Sequence, residues 1–222
     1  MRQIRLGGEA YEPTKVICVG RNFPDHAREM GGTASSSEPI IFIKPNSSVA
    51  SSPSEIFIPQ SLGLLHHEVE LCALIGNGGS GLSIEGAQGS IAGWAVGIDF
   101  TLRSVQMEAK KVGGPWALAK GFDNAAVMGE FAGVGGELDP SAFWFSLSVN
   151  GHERQRGLAR DMVFTPAAII SYVSRFMTLE KGDVIMCGTP SGVGEVRDGD
   201  RIAAEAKGLP KLEFLLRRKQ GG

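Results

Sequence analysis

Glu68 and Glu70 stand two apart inside the run His66-His67-Glu68-Val69-Glu70-Leu71. Side chains at i and i+2 of a strand leave the same face, so the two carboxylates project together while Val69 and Leu71 point the other way. Carboxylates crowded on one face repel, and a hard divalent cation between them is the usual relief. Asp99 closes a second apolar run, Ile91 to Phe100, and Lys120 sits in another, Trp116 to Phe122. Three carboxylates and an ammonium at the ends of apolar strands suit a metal site that handles an anionic substrate. Spacing alone leaves a plainer alternative open. With 24 acidic residues in 222, acid-x-acid arises by chance about two or three times. It occurs three times, at Glu68, Glu137 and Asp198. Glu137-Leu138-Asp139 precedes a proline and Asp198-Gly199-Asp200 lies in a turn-rich stretch, so both read as solvated loops. Only Glu68 and Glu70 are embedded in apolar sequence.

Other residues have chemistry to offer, each against a bland alternative. His26 and Glu29 lie three apart on a short helical stretch and share a face. A carboxylate beside an imidazole raises its basicity and suits a general base, although Asp25 and Arg28 make the same stretch look like a solvated helix. Lys120, in apolar surroundings, either snorkels or stabilises developing negative charge. Arg21 and Arg103 can grip a substrate carboxylate with their two-pronged guanidinium groups, or simply lie on the surface. Thr189, in the glycine-rich run from Gly188 to Gly194, offers a hydroxyl and neighbouring N–H groups to an anion. Gln155 can position a water or serve as an ordinary strand glutamine. His66 and His67 are left out of the metal set, because three oxygen ligands already describe a hard-ion site.

The elements that must position these groups read as strands with short helices. Residues 15–20, 40–44, 64–75 and 91–102 form apolar strands, with a short helix after Ser83 and another from Val105 to Val112. Between the first two strands, Arg21 to Gly32 turns helical at Pro24 and stops at Gly31-Gly32, before a serine-rich connection. A charged helix on such a tether is what a movable lid looks like, spanning about 21–37. Phe143 to Val149, Asn150-Gly151 and His152 to Arg156 predict a hairpin with a type I′ turn. Thr165-Pro166 caps a helix running to about Met177. Strands at 184–187, 201–206 and 212–216 follow. The Gly188–Gly194 loop lacks the lysine and spacing of a phosphate-binding loop.

Bulk properties remove several function classes. A net charge of −2 gives no basic field for nucleic acid. No stretch has the length of apolar sequence that a membrane span needs, and the opening residues lack the apolar region of a secretory signal. The three cysteines sit apart in apolar runs and read as reduced core residues. A cytoplasmic protein is the expectation. The 31 glycines, about twice ordinary usage, favour turn-rich β architecture over a helix bundle.

Taken in order, these motifs resemble the fumarylacetoacetate hydrolase superfamily. The likeness runs from Val16-Ile17-Cys18-Val19-Gly20-Arg21-Asn22-Phe23 through Phe42-Ile43-Lys44-Pro45, His66 to Leu71 and Gly97-Ile98-Asp99-Phe100-Thr101. It continues through Lys120-Gly121-Phe122-Asp123 and Val149-Asn150-Gly151 to the 188–194 loop, covering residues 15 to about 217. The length is similar to that of the small acylpyruvase and oxaloacetate decarboxylase branch. The resemblance implies a mixed β fold with short helices (α+β), a β-roll forming one catalytic domain over 1–222 and pairing as a homodimer. It implies Mg²⁺ or Mn²⁺ on Glu68, Glu70 and Asp99, assistance from Lys120, and a His26–Glu29 dyad on the lid. It implies a small anionic 2-oxo acid as substrate, cleaved at a C–C bond in acylpyruvates or decarboxylated as oxaloacetate, through an enolate stabilised at the cation and Lys120. Fumarylpyruvate hydrolysis, isomerisation or decarboxylation of a longer dienedioate, oxaloacetate tautomerisation, and a β-roll that binds metal without turnover remain alternatives. Phe23-Pro24 departs from the tyrosine and small residue common in the family. Specificity is expected in the lid and in loops such as Gly129 to Pro140.

Overall fold

A computed structural model describes residues 3–33, 37–134 and 142–218. Most of the strands pair into two large sheets. The larger runs in the order Ile40–Pro45, Lys15–Gly20, Val184–Met186, Val69–Ile75, Ile91–Asp99, Ala126–Met128, Val49–Ser51, with Ala132–Gly133 also pairing against Ile91–Asp99. It is mixed: Val184–Met186 runs parallel to Lys15–Gly20, whereas Val69–Ile75 and Ile91–Asp99 are antiparallel. The second sheet runs His152–Leu158, Trp144–Val149, Arg201–Ala206, Leu212–Arg217, Glu55–Phe57. Together they curl into the half-barrel of a β-roll, as the family resemblance implies.

Side-chain alternation explains why the larger sheet is buried on both faces. Leu71, Ala73 and Ile75 pack into the core shared with Phe145, Leu147 and Ile202 of the second sheet. Cys72 and Leu74 face the opposite way, against Val16, Cys18 and Met186. Edge-to-face aromatic pairs, Trp94 with Phe143 at 5.9 Å and Phe100 with Phe214 at 6.2 Å, lock the central layer. The three cysteines are buried and free. The Asn150-Gly151 turn has φ of 53° and 79°, the positive values a type I′ turn requires. Ser83 and Thr165 cap the helices Ile84–Ser90 and Pro166–Ser174 with their hydroxyls, and the latter ends at Ser174 rather than near Met177. No helix among the described residues is long and apolar enough to cross a membrane.

Two strands expected to be continuous are broken, and both breaks fall at the prospective site. Leu65–His67 belongs to a small sheet with Thr101–Leu102 and Gly194–Glu195, while Val69–Ile75 belongs to the larger one. Glu68 is the residue at which the chain crosses between them. Phe100 marks the corresponding break between Ile91–Asp99 and Thr101–Leu102. A chain that changes sheets leaves its ladder at the crossing residue, which is free to aim its side chain into the gap.

Candidate active site

Antiparallel register brings the three carboxylates together. Glu70 pairs opposite Gly97, and the Asp99 N–H donates to the Glu68 carbonyl at 2.8 Å. The start of one strand therefore meets the end of its neighbour. One carboxylate oxygen from each of Glu68, Glu70 and Asp99 can be chosen so that all three lie within 4.8 Å of one another. All three residues are buried, Asp99 completely.

Cations surround the cluster. Lys120, at the end of the short helix Ala117–Lys120, donates to Glu68 Oε2 at 2.8 Å, Asp99 Oδ2 at 2.6 Å and Thr101 Oγ1 at 2.6 Å. Arg103, the first residue of the helix Arg103–Lys111, donates to Glu68 Oε1 at 2.5 Å and Gln106 Oε1 at 2.7 Å. Its Nε reaches His66 Nδ1 at 3.3 Å. Lys44 was not singled out from sequence, yet it is fully buried with Nζ 2.7 Å from Asp99 Oδ1. Lys44 also donates to the carbonyls of Phe100 and Lys120, tying the strand break to the lysine helix. Strand parity carries the signal for it, since Lys44 lies two residues beyond Phe42, which lines the cleft.

The electrostatics separate the three acids. Burial pulls the Glu68 carboxyl upward, but Lys120 and Arg103 outweigh it and hold Glu68 below its usual range. Burial and the neighbouring Asp99 drive Glu70 well above its usual range. Its Oε2 accepts one bond, from the Gly188 N–H at 2.6 Å. Burial resists charge on Lys120, and Asp99 and Glu68 overcome it and push its pKa up. Asp99 Oδ1 is buried without a hydrogen bond, its contact with Lys44 being an ion pair only. A buried acid short of positive charge beside a carboxylate oxygen short of a donor is what an oxygen-ligated Mg²⁺ or Mn²⁺ fits.

That arrangement sets a pH dependence. Cation binding needs Glu70 ionised, and Glu70 holds its proton above the ordinary carboxyl range, so binding must expel it. Mn²⁺ affinity is expected to rise with pH up to Glu70's raised value and to level off above it. Calorimetry in buffers of different ionisation heat measures the released proton; binding without proton release on the rising part of the affinity profile contradicts this account of Glu70.

The helix Pro24–Glu29, the segment expected to act as a lid, puts His26 on the wall of the cleft. His26 is buried and its Nδ1 lies 3.3 Å from Glu29 Oε2. The Glu29 carboxylate also accepts from the Gly192 N–H at 3.0 and 3.2 Å. The lid's root is fixed by Asn22, whose side chain bonds the carbonyls of Phe164 and Cys187 and the Phe164 N–H. Phe23 packs edge-on against Phe145 at 5.9 Å and Pro24 supplies the first helical residue, so the unusual Phe23-Pro24 pair anchors the lid's entry. Residues 34–36 of the expected lid, and 135–140 of the loop expected to shape specificity, lie outside the described residues.

The cleft is lined by Arg21, His26, the three carboxylates, Lys120, Thr189 and the helix residues Arg103, Gln106 and Lys110. It keeps about 30 Å³ of interior room, space for about two waters. Of the groups expected at a substrate, Arg21 and Thr189 line the cleft. Arg103 lines it too, with its guanidinium engaged by Glu68, Gln106 and His66. Gln155 stands behind it: its Oε1 accepts from the Val69 N–H and meets His67 Nδ1 at 2.8 Å, while its Nε2 donates to Thr189 and the Pro190 carbonyl. All its amide capacity goes to protein, so it orients Thr189 from behind. Burial and the Arg103 charge push His66 down to about 4, and burial lowers His67, so both rings favour the neutral form.

The fumarylacetoacetate (FAA) hydrolase C-terminal family model matches residues 15–217. The chain belongs to the fumarylacetoacetate hydrolase family. It is 42% identical over 205 residues to the mitochondrial oxaloacetate tautomerase FAHD1 of Mus musculus, covering 92% of each chain. It is 42% identical over 204 residues to the oxaloacetate tautomerase YcgM of Escherichia coli, covering 89% of this chain and 90% of that one. The solved fumarylpyruvate hydrolase of Pseudomonas aeruginosa, in complex with Mn²⁺ and pyruvate, superposes with a TM-score of 0.92 at 35% identity. That match covers 97% of this chain and 95% of that chain. The family's members include hydrolases, isomerases and tautomerases, and this chain carries the buried acidic triad in their fold.

Proposed function

We propose that this protein is a divalent-cation-dependent enzyme interconverting the enol and keto forms of oxaloacetate. The observation that carries the reading is His26, tied to Glu29 and buried over a cleft floored by Glu68, Glu70, Asp99 and Lys120. The likeness to oxaloacetate tautomerases along nearly the whole chain supports the choice of substrate. Mg²⁺ or Mn²⁺ on the three carboxylates would supply Lewis-acid polarisation of a 2-oxo acid.

Tautomerisation moves one proton between the enol oxygen and C3; an O–H bond breaks, a C–H bond forms, and no group leaves. His26 is the group that carries the proton, and Glu29 fixes its ring. Lys120 spends its N–H donors on Glu68, Asp99 and Thr101, so it contributes fixed positive charge beside the oxygens that gain electron density.

A second reading, cleavage of a C–C bond in an acylpyruvate, is supported by the likeness to fumarylpyruvate hydrolase and by the same dyad, which could activate water. One experiment weighs both. Decay of enol absorbance from fresh oxaloacetate, and pyruvate release from acetylpyruvate and oxaloacetate, are followed with Mn²⁺ and with EDTA. Cation-dependent enol decay above the buffer rate, absent in Glu68→Gln, is the expected result. Pyruvate release from acetylpyruvate without accelerated enol decay would replace this reading with the second.

A further inference from the structure

The helix Arg103–Lys111 turns Arg103, Gln106 and Lys110 into the cleft, at the i, i+3 and i+7 spacing of a single face. The first two are spent on Glu68 and on each other. Lys110 is half-buried, and its ammonium lies 5.4 Å from the centre of the Trp116 ring. Trp116 is itself braced edge-on by Phe42 at 5.7 Å. No acidic side chain pairs with Lys110 among the described residues. The same holds for Arg21, the half-buried cation at the lid's root. Its guanidinium lies so close to Gly32 that a Cβ there would come within 3.1 Å of it.

Charge balance makes these two residues conspicuous. Lys44, Lys120 and Arg103 all spend their charge inside the cleft on Glu68 and Asp99. Arg21 and Lys110 are surplus, and both stand outside the buried floor. Burial, Arg103 and Arg21 push the Lys110 pKa down and outweigh the opposing pull of Glu68, so positive groups facing one space dominate there. An aromatic face holds the ammonium's position without neutralising it.

We propose that Lys110, together with Arg21, forms the subsite for the second carboxylate of a short dicarboxylic 2-oxo acid, making Lys110 a specificity-determining residue. This rests on the reading of the site as an oxo-acid site and deepens it. A four-carbon dicarboxylate places one carboxylate and its 2-oxygen at the buried floor and the other at the outer wall. Arg21 belongs to the lid, so the second carboxylate also ties substrate recognition to closure. A monocarboxylic acylpyruvate leaves Lys110 unmatched.

The test uses two stable 2-hydroxy acids, L-malate and L-lactate, which differ by one terminal carboxylate and do not enolise. Calorimetric affinities with Mn²⁺ present are compared for the natural protein, Lys110→Met and Lys110→Arg. Methionine keeps a flexible apolar stem on Trp116 and removes the charge. The malate-to-lactate affinity ratio is expected to exceed one and to fall about tenfold in Lys110→Met, the scale of one charge-assisted contact. Lys110→Arg should restore most of it. An unchanged ratio, or equal loss of both ligands, overturns the proposal. Absence of enol decay with the ratio behaving as expected would count against the tautomerase reading and leave the subsite standing.

Discussion

Glu70→Gln is expected to weaken Mn²⁺ binding by at least about a hundredfold and to abolish turnover, while leaving the cation-free protein as stable at neutral pH as the natural one, or more so. Glu70 is buried with a single N–H partner, and its carboxyl already favours the protonated form. An amide is close to an isostere of that neutral acid and its oxygen can still accept from Gly188. Removing the ability to ionise therefore costs the fold nothing and the cation site a ligand charge. A raised folded pKa contributes stability that is complete below the unfolded carboxyl value and is lost as pH rises through the folded one. The natural cation-free protein should lose stability on that rise, Glu70→Gln should not, and Mn²⁺ should return it to the natural protein only.

Glu68→Gln is the contrasting case, and the contrast is the check. Glu68 bonds Lys120 at 2.8 Å and Arg103 at 2.5 Å, both buried. Losing its charge strands two cations, which costs about 3–5 kcal/mol when a buried pair is broken. Glu68→Gln should thus lose cation affinity, turnover and melting temperature together. Thermal melts in EDTA and in Mn²⁺ for both variants decide the matter. Equal destabilisation of the two would mean that Glu70 is ionised and paired in the cation-free protein, against the electrostatics described above.

The same two glutamates mark how far sequence reasoning reaches. Their spacing, their apolar setting and Asp99 at a strand's end are local features, and they were legible. The fold's strands, the Asn150-Gly151 turn and the lid helix were legible for the same reason. The break at Glu68 was not, because i, i+2 parity is blind to a chain changing sheets. Lys44, named only within the Phe42–Pro45 motif, and Lys110 have no role legible in sequence, because their meaning depends on register. Lys44 counts only once Phe42 is known to face the cleft, and Lys110 only once the helix is known to start at Arg103 rather than Val105. Gln155 was expected to reach a water or the substrate. Nothing in a strand sequence reveals that four partners from the Leu65–His67 crossing and the 188–194 loop converge on one amide.

The 188–194 loop also supplies a contact to Glu29 of the proposed dyad, and its disruption is expected to separate proton transfer from cation binding. Gly192 has φ of 95°, and a Cβ there would sit 2.2 Å from the Arg154 carbonyl oxygen. Gly192→Ala must therefore move the loop backbone and with it the N–H that holds Glu29. His26→Ala removes the proton carrier directly and is expected to cost about 10²- to 10⁴-fold in kcat. Gly192→Ala should approach that loss, because an unlatched Glu29 no longer orients His26 and the lid's closed population falls. Neither residue belongs to the acidic triad, so Mn²⁺ affinity should change by less than about threefold, within one small electrostatic contact. Glu29→Gln distinguishes the latch from the charge: its amide oxygen can still accept from Gly192, yet it cannot stabilise a protonated His26. Its closure should survive while its kcat falls. If Gly192→Ala turns over normally, the Glu29 contact is incidental to closure, and His26 must be positioned by the lid's packing on Phe145 and Asn22 alone.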